Sequence, residues 1–132
     1  MGTDGNIYAI PANATQVLRI ELSTSTVSLI GPELHPRVKN KWYGGIKGRD
    51  GSIWGVPYNA PSALCIVPHP THPTVSEVGA FACGGWKWHG GARCHSTGRI
   101  VGIPSHANEV LIIIPEEKRC ESFFTSFPSR LT

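Results

Sequence analysis

The chain has 132 residues, 12 Lys and Arg against 9 Asp and Glu, a formal net charge of +3 and 40% hydrophobic residues. That apolar content excludes a disordered chain, no apolar run approaches the roughly 18 residues of a spanning helix, and the scattered basic residues form no stripe of the kind that meets nucleic acid. With 15 Gly, 11 Pro and one Met, the chain is rich in turn formers and poor in helix-dense stretches.

Residues 1–32 begin with an Asp4-Gly5 turn, a strong hairpin signal. Three strands are expected to follow, in NIYAIP, QVLRIEL and TVSLIG, with Ser23-Thr24-Ser25 between the last two. Arg19 and Glu21 alternate with Leu18, Ile20 and Leu22, the pattern of a half-solvated peripheral sheet. No basic-then-apolar signal opens the chain, so an intracellular or organellar setting is expected.

Residues 33–40, ELHPRVKN, read as a polar connector. The stretch 41–79 is the fullest unit: apolar runs WYGGI, SIWGV, ALCIV and TVSEV are separated by GRDG, PYNAPS and PHPTHP, turn-forming clusters that predict a four-stranded antiparallel meander. Gly44-Gly45 would weaken an ordinary strand and predicts a close approach of another backbone. ALCIV is apolar on both faces, as in a sheet covered on both sides. Residues 80–86 join this unit to the next, which occupies 87–132 and repeats the logic through VLIII. The tail EEKRCESFFTSFPSRLT departs from the repeat, and FFTSF is read as a fourth strand or a docking segment.

Gly5, Gly51 and Gly98 stand 46 and 47 residues apart, and the same register aligns Pro11 with Pro57 and Pro104, Leu18 with Leu64 and Leu111, and Trp42 with Trp88. A period in the mid-forties with four strands and no helical periodicity predicts one β-propeller blade per unit; a β-solenoid or a duplicated sandwich is the alternative. The expected fold is therefore all-β and propeller-like, with about three four-stranded antiparallel blades, the first lacking its innermost strand. Such an incomplete ring exposes sheet faces and a strand edge. The chain is expected to be part of a larger propeller, to close a ring by self-association, or to pack onto other protein subunits.

The segments KWYGG, KWHGG, GVPYNA and GIPSHA, with Asp-Gly turns before IYAIP and SIWGV, resemble a family of propeller-like repeat proteins of algae and protists in which KWHGG-, DGxIYGIP- and NAxxVLxIDP-like segments recur. The resemblance covers about residues 3–115 and implies an interaction module. Two departures stand out: Val67-Pro68 and Ile114-Pro115 lack the acidic residue that often precedes that proline, and His106 occupies the place of Asn13 and Asn59.

Propeller ligands usually lie on the face made by the loops between blades and between second and third strands. That face is expected to carry Asn13, Asn59 and His106 together with Lys41, Trp42, Trp86, Lys87, Trp88 and His89, a polar and aromatic set suited to a sugar, a peptide or an acidic group. The structural alternative has the Asn side chains bonding within turns and the tryptophans wedged between blades. Cys83, His89, Cys94 and His95 lack zinc spacing, so neither metal nor cofactor is expected, and Cys65 reads as a buried small hydrophobe. Cys83 and Cys94 could pair, though reduced thiols are the expectation. No GxSxG, HExxH or phosphate-cradling loop occurs, and Asp4 and Asp50 read as hairpin formers. The preferred reading is a non-catalytic interaction protein, an accessory or structural subunit; the alternative is a small-ligand or lyase- or lactonase-type propeller with an axial pocket formed on oligomerisation.

Overall fold

The computed structural model describes residues 1–124. The described chain is all-β and propeller-like, three antiparallel sheets following one another in sequence. The first holds β1 (Ile7–Ala9), β2 (Val17–Glu21) and β3 (Thr26–Ile30). The second holds β4 (Trp42–Lys47), β5 (Ile53–Pro57), β6 (Ala63–Val67) and β7 (Thr74–Val78). The third holds β8 (Trp88–Arg93), β9 (Ile100–Pro104), β10 (Glu109–Ile114) and β11 (Arg119–Phe124). Each strand pairs only with its sequence neighbours, so every sheet is a meander, called here blade 1, 2 or 3.

The turns are set by the residues that announced them. Asp4 and Asp50 each accept a bond from the backbone N–H two residues on, at 3.2 Å from Asn6 and 3.0 Å from Ser52, and Gly5 and Gly51 take the positive φ that closes each turn. The last strand lies earlier than FFTSF: Pro115–Glu117 form a 3-10 turn, Lys118 adopts a left-handed conformation, and the chain reverses to pair Arg119 with Ile114 and Phe124 with Glu109. Phe123 and Phe124 of the expected segment belong to that strand, and its remaining residues lie outside the described ones.

The paired glycines serve two purposes where only one was expected. β4 and β8 each carry a bulge, between Tyr43 and Ile46 and between Trp88 and Gly91. Gly44 and Gly90 take φ of 72° and 68° within those bulges, a conformation open to glycine. The two inner strands also meet there, a Cβ on Gly44 falling 3.5 Å from the Cα of Gly90.

Packing follows from strand alternation. In blade 2, Ile53, Leu64 and Ile66 point back to blade 1, where they meet Tyr8, Ile10 and Val17 with Trp42 and Leu34. Their neighbours Trp54, Val56, Ala63 and Cys65 point forward to blade 3 and meet Ile100, Leu111 and Ile113 with Trp88. Both faces of β6 are thereby covered, and Ala63, Leu64 and Ile66 are fully buried. A buried Leu or Ile contributes about 1.5–3 kcal/mol, so the two inter-blade joints hold most of the core.

Candidate functional site

Asn13 and Asn59 perform one task twice. The Asn13 carboxamide oxygen accepts the Asn40 N–H at 2.7 Å, and that of Asn59 accepts the Trp86 N–H at 2.9 Å. Each side chain thus fastens the loop that leads into the next blade. Asn59 is buried and also donates from Nδ2 to the Lys39 carbonyl at 3.0 Å. The fastened residues, Asn40 and Trp86, have φ of 51° and 45°. Asn tolerates that left-handed turn and Trp resists it, so the Asn59 bond holds the more strained copy. Asn59→Ala should lower the unfolding free energy by about 1–3 kcal/mol, because both hydrogen bonds of a buried side chain are lost. Asn13→Ala should cost less at its exposed position, and equal losses in urea denaturation would contradict this assignment.

Lys41 and Lys87 are buried at equivalent positions. The Lys87 ammonium donates to the carbonyls of Ala82 at 2.6 Å, Gly84 at 2.8 Å and Tyr58 at 3.4 Å, fixing the loop between blades 2 and 3. Lys41 donates to the Val38 carbonyl at 3.3 Å. Burial lowers the pKa of both from the ordinary lysine value, with the nearby charge of Lys39 adding to the effect at Lys41. Trp42 and Trp88 are 1% and 2% exposed, wedged into the two joints, and their indole N–H groups donate to the carbonyls of Ser62 at 2.7 Å and Glu109 at 2.8 Å. These residues are engaged in linking blades. A cleft of about 380 Å³ opens beside Lys87 and Trp88, bounded by Phe81, Ala107 and Glu109.

The side chains left for solvent form two ring clusters. Tyr43 on β4 and His89 on β8 occupy the same place in successive units, directly after the buried Trp, and their rings lie 4.5 Å apart. Tyr58 stands edge-on to both, at 5.0 Å from Tyr43 and 5.3 Å from His89. Exposed Trp86 meets His106 edge to face at 5.3 Å. The sequence reading singled out His89 and His106 but not Tyr43 or Tyr58. The available signal was the 46-residue correspondence of Tyr43 with His89.

One further cluster bears on chemistry. Glu77 Oε1 accepts the Ser62 hydroxyl at 2.5 Å and lies 2.5 Å from His35 Nε2. Serine and histidine both bond the carboxylate, so this is not the serine–histidine contact that activates a nucleophile; it ties the 33–40 connector to β7. Among the described residues no three His, Cys, Asp or Glu side chains gather as a metal site requires.

The four cysteines are free thiols. Burial pushes Cys120 up to about 12, with Cys65 adding a smaller effect, whereas Cys94, in the turn after β8, is drawn down to about 6 by hydrogen bonds from Ser96 and then Thr97. The thiolate is the reactive form, so Cys94 should be alkylated by iodoacetamide ahead of Cys65 and Cys120, whose pKa values burial raises, with a rate that rises half-maximally near pH 6. Ser96→Ala should move that midpoint up; a midpoint unmoved by the substitution would rule out the bond as its cause.

No known family profile matches the chain, and no curated protein does. Solved structures do. A selenomethionine-substituted virginiamycin B lyase from Staphylococcus aureus superposes with a TM-score of 0.71 at 16% identity, over 97% of this chain and 40% of the lyase. A catalytically inactive histidine-to-alanine variant of that lyase with quinupristin gives 0.68 at 16% identity, over 96% and 40%. A streptogramin B lyase gives 0.68 at 14% identity, over 94% and 38%. The chain therefore spans about 40% of the length of the first lyases it matches, and what it shares with them is the fold: consecutive blades of a propeller-like ring.

Proposed function

We propose that the chain is a non-catalytic propeller-type interaction protein, an accessory or structural subunit that contributes three consecutive blades to a larger assembly. The observation that supports this reading is the pair of apolar sheet faces, on blades 1 and 3, that the described residues leave uncovered. Val27 and Leu29 are 65% and 62% exposed on blade 1, and Ile103 and Phe123 are 50% and 51% exposed on blade 3. Apolar patches of this kind mark protein contact, and the polar residues that could have formed an axial site, Asn13, Asn59, Lys41 and Lys87, are occupied in joining blades.

A second reading, a small-ligand or lyase-type propeller, draws support from the likeness to virginiamycin B lyases and from the rings of Tyr43, Tyr58 and His89 on neighbouring elements. Quinupristin decides between them. The chain is expected to leave it unchanged by chromatography and to melt at the same temperature with and without it. Turnover or stabilisation that disappears in His89→Ala or His106→Ala would overturn the interaction reading in favour of the second.

A further inference from the structure

Each joint within the chain is made of two different halves. The forward half comes from alternate residues in or next to the two strands that precede a blade's last: Tyr8, Ile10 and Val17 in blade 1, and Trp54, Val56, Ala63 and Cys65 in blade 2. The backward half comes from the residues between them: Ile53, Leu64 and Ile66 in blade 2, and Ile100, Leu111 and Ile113 in blade 3. The repeat carries both sets onward at 46 and 47 residues. Blade 3 therefore has a forward half of Val101, Ile103, Val110 and Ile112, and blade 1 a backward half of Ile7, Leu18 and Ile20. Strand pairing extends each: Phe123 stands opposite Val110, and Val27 and Leu29 stand opposite Ile20 and Leu18. None of these residues is buried.

Among the described residues, the faces without a partner are thus one forward half and one backward half, the two parts of the joint the chain already makes twice. We propose that a second copy of this chain covers them head to tail, the forward face of blade 3 in one copy seating on the backward face of blade 1 in the other. This deepens the interaction-protein reading and rests on it. The warrant is continuity with the internal joints: apolar residues alternate in the same register at the positions that correspond to the buried ones, while Glu121, opposite Ile112 on the forward face, is paired with Arg119 of its own strand. A contact between two different patches closes into a ring when its rotation permits. Two such contacts give six consecutive sheets, within the roughly four to eight blades of closed propellers. Among the described residues the three-stranded sheet of blade 1 carries no counterpart of Trp42 and Trp88, so in this chain the joint should be weaker than the internal ones and should separate on dilution.

A contact of two unlike halves has a signature that a symmetric patch lacks. By light scattering at high concentration, the chain of 14.2 kDa should have twice that mass. Val27→Glu spoils only the backward face and Ile103→Glu only the forward face; both positions are exposed, so each variant should keep its melting temperature and become monomeric. Mixed in equal amounts, the two variants should regain a dimer, since one offers an intact forward face and the other an intact backward face. Should either variant lose its melting transition, Val27→Ser and Ile103→Ser replace the pair. A monomeric parent chain, a dimer that survives both substitutions, or a mixture that stays monomeric would each overturn the second copy as the occupant. The quinupristin assay reads the interaction reading separately, so a failure of the second copy as occupant is told apart from a failure of that reading.

Discussion

Gly91→Val is expected to abolish the cooperative fold of blade 3, whereas Gly45→Val, the corresponding change in blade 2, is expected to be tolerated at a modest loss. The two glycines are equivalent in sequence, each the second of a Gly-Gly pair on an inner strand, yet their surroundings differ. A Cβ on Gly91 would lie 2.4 Å from the backbone oxygen of Val101 and 3.2 Å from Ile46 Cδ1. The obstacle is the main chain of β9, and moving it breaks the ladder that pairs Gly91 with Gly102 and Ala92 with Val101. A Cβ on Gly45 would meet side chains alone, Ile10 at 3.3 Å and Ile53 in ordinary contact at 4.0 Å, and the Ile10 side chain can turn aside. Overpacking a core site costs about 1–3 kcal/mol when side chains can adjust; Gly45→Val should fall near the lower figure and Gly91→Val beyond the upper one. Urea denaturation followed by circular dichroism reads both. A Gly91→Val protein that unfolds at the parent midpoint would show that the inner strands are not crowded at that position.

The architecture was legible because a period of 46–47 residues repeats its turn formers as well as its apolar runs. Asp-Gly fixes where each second strand begins, and alternation then decides which side chains face which neighbour, so the burial of β6 on both sides could be read from ALCIV alone. The tail was less legible because its strand is set by a 3-10 turn at Pro115–Glu117 and a left-handed Lys118, and neither residue type announces that geometry. The role of Asn13 and Asn59 was legible only as a choice between ligand and turn. What settles their geometry is a bond to a backbone 27 residues further on, a separation that no local pattern carries. Burial of Lys41 and Lys87 was hidden for the same reason, since a lysine directly before a tryptophan reads as a surface residue until the loop carbonyls that receive its ammonium are in place. The ring cluster of Tyr43, Tyr58 and His89 needs the approach of β4 to β8 before its members are neighbours at all.

Trp42→Ala should cost about 3–5 kcal/mol, the range for truncating a large buried aromatic side chain. This loss would be a large part of the 5–15 kcal/mol that holds a typical domain together. Trp42 is 1% exposed and belongs to the joint between blades 1 and 2, with Tyr8, Val17, Leu34 and Leu64. Its indole N–H donates to the Ser62 carbonyl at 2.7 Å, so removal leaves both a cavity and a buried acceptor without its donor. Trp42→Phe keeps much of the ring while losing that bond, and should cost roughly 1–3 kcal/mol. The order of the two variants separates a wedge from a ligand-stacking residue: a wedge gives graded losses in the unfolding free energy of the protein alone. A tryptophan held for an axial ligand would leave the ligand-free protein's unfolding unchanged in both variants, and that result would return Trp42 to the candidate site.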